Sequence, residues 1–290
     1  MDTADDSGST PDIRGAVFMD LDGTLLQSDS TISAANEQAL QAVRARGYLC
    51  IGVTGRSLHS ARSVLSGASP LDYLAVSSGA ATLDWQMQKL LVAHEISPCD
   101  TQRGIEILLS LGMDFMVHDP MPDNHCFAYC KRDAAANPDF EERRQRYESY
   151  ARDFDQNIPL KGPATQFLVV SPPHNEAARL HERLVVLFAG FTVVRTTSPL
   201  DHDSTWFEIF PPSVDKGKAA EWLRRRFALP SARCMAIGND YNDLSLLEWC
   251  AHSFVVDNAP AALKERFATV PSNDEDGVSI ALERWLEAPR

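Results

Sequence analysis

Two aspartates one residue apart, Asp20 and Asp22, follow the apolar run at residues 15–19 and are themselves followed by Gly23 and Thr24. Carboxylates this close repel one another unless a cation or a proton is shared between them. Mg2+ suits such a pair, because it takes oxygen ligands and is commonly held by one or two carboxylates together with substrate phosphate. Gly23 lets the chain turn sharply, and Thr24 brings a hydroxyl and an amide. The same residues also read as a solvated Asp-Gly turn, so the chemistry needs partners elsewhere. Three further clusters offer them: Thr54-Gly55-Arg56, Lys216-Gly217 and Gly238-Asn239-Asp240-Tyr241-Asn242-Asp243. A carboxylate nucleophile, a second carboxylate, a hydroxyl, a lone ammonium and an oxygen-rich loop form the inventory of phosphoryl transfer. Positioning and cationic stabilisation supply most of the catalysis there. No Walker-type glycine-rich loop is present, which disfavours a nucleotide-dependent kinase.

Such groups act together only if a scaffold ends them on one rim. Apolar runs at residues 15–19, 48–53, 73–76, 234–237 and 253–256 read as buried strands, and each of the first four clusters named lies just beyond a strand or at a helix start. Helices are predicted over 33–46, 57–65, 216–227, 261–267 and 277–286, with Ser33 as a cap and Gly47 as a stop for the first of them. Strands alternating with helices predict a parallel sheet covered on both faces, with ligands beyond the strands' carboxyl ends. The middle of the chain has another rhythm, with helices over 101–111, 138–154 and 175–188 and strands over 113–117, 126–130, 166–170, 191–195 and 206–210. Short links between those strands predict a mixed or antiparallel sheet backed by helices. The expected fold class is therefore α/β, a Rossmann-like parallel-sheet core with an inserted α+β unit. The expected division is a disordered leader at 1–12, a core from 13–83 and 212–290, and an insert at 84–211.

Composition narrows the function classes. Forty acidic against 27 basic residues give a net charge of -13, which argues against nucleic acid as a partner. No apolar stretch reaches the length of a membrane span, and the acidic start lacks the basic and apolar regions of a signal peptide. A cytoplasmic location is expected, as a monomer or homodimer. The six cysteines make no disulfide framework, and Cys50 and Cys234 read as core thiols. His118, His125, Cys126 and Cys130 are poorly spaced for zinc, Cys126 and Cys130 fitting one face of a strand. Arg143, Arg144 and Arg146, interleaved with Glu141, Glu142 and Glu148, read as a solvated helix face. Trp206, Trp222 and Trp249 read as core, and Arg56 serves equally as a substrate contact or as a partner for an acidic neighbour.

The four clusters, in this order, resemble the motifs of the haloacid dehalogenase superfamily of phosphatases, and an insertion between the second and third resembles the Cof-type branch with its type IIB cap. Ser78-Gly79-Ala80, Val256-Asp257-Asn258-Ala259 and the stretch at 272–278 match as well. The resemblance implies a Mg2+-dependent phosphomonoesterase acting on a small phosphorylated metabolite, sugar phosphates being favoured. It implies Asp20 as the nucleophile that becomes an aspartyl phosphate, and Asp22 as the acid that protonates the leaving group and then activates water. Thr54 would bond a phosphoryl oxygen and Lys216 neutralise charge, with Lys218 as its competitor. Gly23, Thr24, Gly55, Arg56 and Asn242 would line the phosphate or substrate, and Asp20, the Asp22 carbonyl, Asn239 and Asp243 would hold the metal. Two departures stand out: Asn239 where the fourth motif commonly has Asp, leaving Asp240 as a rival ligand, and Ser78 where relatives often have Asn. A phosphomutase and a non-catalytic sensor of phosphometabolites are the alternatives. The cap is expected to set specificity and to close over the site.

Overall fold

The computed structural model describes residues 13–132, 137–154, 162–171 and 177–288; the leader expected at 1–12 lies outside them. Its first segment contributes β1 (Gly15–Met19), β2 (Tyr48–Val53), β3 (Tyr73–Val76), β4 (Ala81–Asp84) and β5 (Lys89–Ala93). The middle segment holds β6 (Phe115–His118), β7 (Phe127–Cys130), β8 (Ala151–Asp153), β9 (Gln166–Ser171), β10 (Thr192–Thr197) and β11 (Thr205–Phe210). The last returns with β12 (Cys234–Gly238), β13 (His252–Val256) and β14 (Ala268–Val270). Among the described residues these strands form two sheets, one of eight strands in the order β14-β13-β12-β1-β2-β3-β4-β5 and one of six in the order β10-β11-β9-β6-β7-β8. The chain is thus an α/β core with an inserted α+β cap.

In the core, β1 runs parallel to β12 on one edge and β2 on the other. Its side chains alternate between two apolar layers. Val17 and Met19 pack with Leu40 and Val43 of the helix Ala34–Ala45 and with Val278, Leu282 and Trp285 of the helix Gly277–Glu287. Ala16 and Phe18 pack with Ala219, Ala220 and Leu223 of the helix Lys216–Arg226 and with Leu246 of the helix Leu244–Trp249. Coverage on both faces is why β1 is apolar throughout rather than alternating. Register then fixes the site. Met19 stands opposite Ile237 on one side and Gly52 on the other, so Asp20, Thr54 and Asn239 leave the sheet at neighbouring points on its carboxyl rim.

The cap sheet is antiparallel except for the β7–β8 pair. One face packs Phe115, Val117, Phe167, Val169, Phe207 and Ile209 against the helices Pro98–Leu111 and Ala177–Leu187. The opposite face carries Met116, Leu168, Val170 and Trp206 and is partly covered by the helix Pro138–Arg146.

Several sequence expectations need correction. The core sheet runs past residue 83, because β4 and β5 extend it as an antiparallel hairpin through Ala93. Asp84 closes that hairpin by accepting the Met87 amide at 2.9 Å. The helix expected over 138–154 stops at Arg146, and residues 151–153 instead become β8, recruited by pairing with β7. A pairing partner distant in sequence overrides local helix preference there. Strand β14, unanticipated, adds the far edge beside β13. The helix expected over 175–188 is seen as Ala177–Leu187, its predicted start lying outside the described residues. Among the described residues no helix is long and apolar enough to cross a membrane.

Candidate active site

Lys216 organises the rim. It opens the helix Lys216–Arg226, whose cap Asp215 accepts the Lys218 amide at 2.8 Å. Its side chain is wholly buried, with Nζ 2.6 Å from Asp20 Oδ1 and 2.6 Å from Asp243 Oδ1. A buried ammonium between two buried carboxylates leaves one negative charge over. Burial and the neighbouring Asp243 raise the Asp20 carboxyl to about 8, against the pull of Lys216. Burial alone would lower the Lys216 ammonium, but the charges of Asp20 and Asp243 outweigh it and hold it above the ordinary lysine value. Lys218 is spent elsewhere, 2.7 Å from Asp215 Oδ2 and half exposed.

Asp243, expected as a metal ligand, is met by protein donors on both oxygens. While Oδ1 holds Lys216, Oδ2 accepts the amides of Asn239 at 2.8 Å and Asp240 at 3.0 Å. The side chain is buried, and these bonds shape the loop and fix the lysine. Gly238 makes this possible, since a Cβ there would lie 2.5 Å from the Asp243 carboxyl carbon.

Asn239 faces the reaction corner. With its NH2 turned inward it donates to Asp20 Oδ2 at 3.2 Å, the Asp22 carbonyl at 3.1 Å and Thr24 Oγ1 at 3.3 Å. Gly23, with φ +69°, permits the approach, because a Cβ there would lie 2.5 Å from the Asn239 amide. Three oxygens converging on one group make a donor set that fits Mg2+, and a half-turn of the amide would present a fourth oxygen. Among the described residues no cluster of three His, Cys, Asp or Glu side chains is arranged around a cation, so the fit rests on this mixed carboxylate, carbonyl and amide set. Asp240, the rival ligand, points to the cap: its carboxylate accepts Thr196 Oγ1 at 3.0 Å and the Thr197 amide at 2.8 Å.

Asp22 is tied to Arg56, whose Nε and Nη2 lie 2.8 and 2.6 Å from its two oxygens. Arg56 Nη1 reaches Ser60 Oγ at 3.0 Å. Of the two expectations for Arg56, the structure thus realises the acidic partner. Hydrogen bonding and the charge of Asp22 raise the Arg56 guanidinium even though burial, the largest influence, opposes them. Thr54 is buried at the end of β2, its Oγ1 accepting the Arg56 amide at 3.0 Å while its hydroxyl proton remains available. Thr24, expected to line substrate, is buried with its hydroxyl beside Asn239. At Gly55 an added Cβ would meet Asn242 Nδ2 at 3.7 Å and Ser78 Oγ at 3.9 Å, so these three border one space.

The cap closes that space from above. Glu208, 5% exposed, accepts Ser78 Oγ at 3.1 Å and Gln166 Nε2 at 3.2 Å, and burial raises its carboxyl above the ordinary value. Asn124 Nδ2 donates to Ser77 Oγ at 2.6 Å, and His125 of the cap stacks on His59 of the core at 4.4 Å between ring centroids. Glu208 escaped the sequence reading, although a lone charge inside the apolar run Trp206-Phe207-Glu208-Ile209-Phe210 is a signal that a buried polar partner exists. Arg143 corrects another expectation. Arg144 and Arg146 pair with Glu141 and Glu142 on the solvated face, but Arg143 turns inward over the rings of Trp206 at 4.7 Å and Tyr147 at 5.2 Å. Trp206 is accordingly both core and stacking surface.

Comparison with known proteins agrees with this architecture. A family model described as haloacid dehalogenase-like hydrolase matches residues 17–282. The 5-amino-6-(5-phospho-D-ribitylamino)uracil phosphatase YwtE of Bacillus subtilis is 27% identical, with 93% of this chain and 97% of that protein covered. An HMP-PP phosphatase of Yersinia enterocolitica is 26% identical, covering 95% of this chain and 96% of the relative. Among solved structures, SMU.1108c of Streptococcus mutans superposes with a TM-score of 0.75 at 17% identity, over 94% of this chain and 99% of the other. The subclass IIB sugar phosphatase BT4131 gives 0.72 at 16% identity, over 93% and 98%.

Proposed function

The chain belongs to the haloacid dehalogenase-like hydrolase family, and on that premise we propose that it is a Mg2+-dependent phosphatase hydrolysing a small phosphomonoester, sugar phosphates being favoured, through an aspartyl phosphate on Asp20. The observation that carries this reading is the buried Lys216 bridging Asp20 and Asp243 on the rim where Thr54 and Asn239 emerge. Lys216 holds the Asp20 carboxylate, one oxygen of which attacks phosphorus in line while the other faces the corner that would hold Mg2+. The phosphorus–oxygen bond of the leaving group breaks as the new one forms, and Asp22 gives its proton to the departing oxygen. Asp22 then takes a proton from the water that cleaves the acyl phosphate, releasing inorganic phosphate and restoring both carboxyl groups. Thr54 donates to a phosphoryl oxygen, and the Gly55 amide and Asn242 border the same pocket. Asp20, the Asp22 carbonyl and Asn239 would hold Mg2+, which supplies positive charge to the phosphoryl oxygens.

Arg56 serves this cycle as the partner that holds Asp22 rather than as a phosphate ligand. For Asp22 to act as an acid, that bidentate pair must loosen as substrate enters. Relatives with phosphatase names support the reaction class, and the cap over the rim supports a metabolite small enough to be enclosed.

The decisive experiment is phosphate release from an aryl phosphate and from a panel of sugar phosphates with Mg2+, comparing the protein with Asp20→Asn. Turnover lost in the variant is expected. A second reading, a sensor that binds phosphometabolites without turning them over, draws on Asn239 alone, which adds no charge to the corner. Absence of turnover in the unaltered protein across the panel, with binding retained, would establish that reading instead.

A further inference from the structure

The cap face above the rim carries a polar floor that the reaction does not use. Strand register puts His118 opposite Gln166, while Glu208 stands opposite Leu168, so that Gln166 reaches Glu208 diagonally at 3.2 Å. Two polar atoms on this side of the cap are buried without a partner among the described residues: His118 Nε2 and Asn124 Oδ1, in side chains 3% and 2% exposed. Such atoms cost free energy unless something bonds them. Arg143 adds a third, its buried Nε also lacking a partner.

Arg143 is the informative member. Its guanidinium lies over the ring of Trp206 at 4.7 Å and that of Tyr147 at 5.2 Å, yet makes neither an ion pair nor a hydrogen bond to any described residue. The carboxylates that act on it electrostatically are engaged elsewhere: Glu208 by Ser78 and Gln166, Asp139 by Ser198 and Trp206. Two rings hold the planar fork in one orientation, so little rotamer freedom remains to be lost on binding. Trp206 shares its strand face with Glu208, whose carboxylate accepts Ser78 Oγ of the core at 3.1 Å, so the cation over Trp206 lies on the side of the cap that meets the core. An oriented guanidinium with unused donors beside a phosphomonoester site is suited to carboxylate or phosphate, which it can bind in bidentate fashion.

We infer that Arg143 is a specificity-determining residue that binds a second anionic group, carboxylate or phosphate, on the leaving group of the phosphomonoester. The inference rests on the phosphatase reading and narrows its substrate class to doubly anionic metabolites, such as a phosphorylated sugar acid or a sugar bisphosphate.

The test compares kcat/KM for a hexose phosphate, the matching phosphorylated sugar acid and the matching bisphosphate, in the full chain with Mg2+, and uses an aryl phosphate as the reference for turnover. The expected ratio of the better doubly anionic substrate to the hexose phosphate is about 10–100, the range of a charge-assisted pair. Which one wins identifies carboxylate or phosphate as the group read. Arg143→Gln is expected to bring that ratio close to one. If that variant does not fold, Arg143→Lys, which keeps charge but loses the fork, is expected to reduce the ratio severalfold. A ratio near or below one in the unaltered chain, or a ratio that both folded variants preserve, overturns the inference. Absence of phosphate release from every substrate, the aryl phosphate included, would instead remove the phosphatase reading beneath it.

Discussion

At the scale of residues, the corner around Asp20 is a problem in charge balance. Two buried carboxylates share one ammonium, and the third position, Asn239, is neutral. Because an amide oxygen ligates Mg2+ without adding charge, the cation should be held more weakly than by a carboxylate in the same place. Asn239→Asp is therefore expected to keep activity and to lower the Mg2+ concentration for half-maximal rate severalfold. A titration of rate against Mg2+ in both proteins measures this, and an unchanged requirement would show that position 239 does not touch the ion. Asp243 illustrates how the same letter can mean different chemistry. Its spacing from Asn239 offers it as a ligand, and its oxygens also accept Lys216 and two backbone amides.

At the scale of elements, the hairpin of β6 and β7 is where a polar cap meets a polar core. His118 ends β6 with Nδ1 2.8 Å from the Asn124 carbonyl, and Asn124 bridges to Ser77 of the core. Burial, aided by the charge of Arg143, pulls the His118 imidazole down to about 3 from its ordinary 6.5. A folded pKa below the unfolded one means that the unfolded chain binds the extra proton first as pH falls. The stabilisation is thus full above about pH 6.5 and is withdrawn as pH falls toward 3, at up to about 1.4 kcal/mol per pH unit. Urea denaturation across that interval should show the loss. His118→Gln, which retains a donor for the Asn124 carbonyl, should flatten this part of the profile; an identical slope in the variant would assign the acid sensitivity to other groups.

At the scale of the whole molecule, the core and the cap have separate apolar layers, and the seam between them is largely polar. Ser78 to Glu208, Asn124 to Ser77, and Thr196 and Thr197 to Asp240 join the two, with a small cluster of Ala80, Phe210 and Val214 at the link. Side-chain hydrogen bonds of this kind contribute only about 0.5–1.5 kcal/mol each, so the seam should part far more readily than either sheet. Hydrogen exchange is expected to reveal this at the Thr197 amide, which leans on Asp240 across the seam. It should exchange at least tenfold faster than amides inside β9 and β11, which pair within the cap. Equal protection would mean that cap and core open only together, and substrate entry would need another route. Asp240 gains meaning at this scale: it sits one residue from Asn239, so the cap and the metal corner are joined through a single short loop.

What the sequence determined by itself is the core and the polar groups on its rim. Apolar runs that stop at polar clusters located β1, β2, β3 and β12 to within a residue, because strands covered on both faces must be apolar and must end where the chain turns. The order of clusters identified the groups at the rim for the same reason: parallel pairing brings strand ends together whatever lies between them in the chain. Tertiary structure alone decided which oxygen each donor meets. The hairpin of β4 and β5, the short β8 and the edge strand β14 depend on partners remote in sequence, and so escaped local patterns. The partners that Asp243, Thr24, Arg56 and Arg143 meet likewise turn on a few ångströms of approach between elements far apart in sequence. Residue spacing carries no record of such distances, because they are fixed by how two sheets pack and not by the segments that bear the side chains.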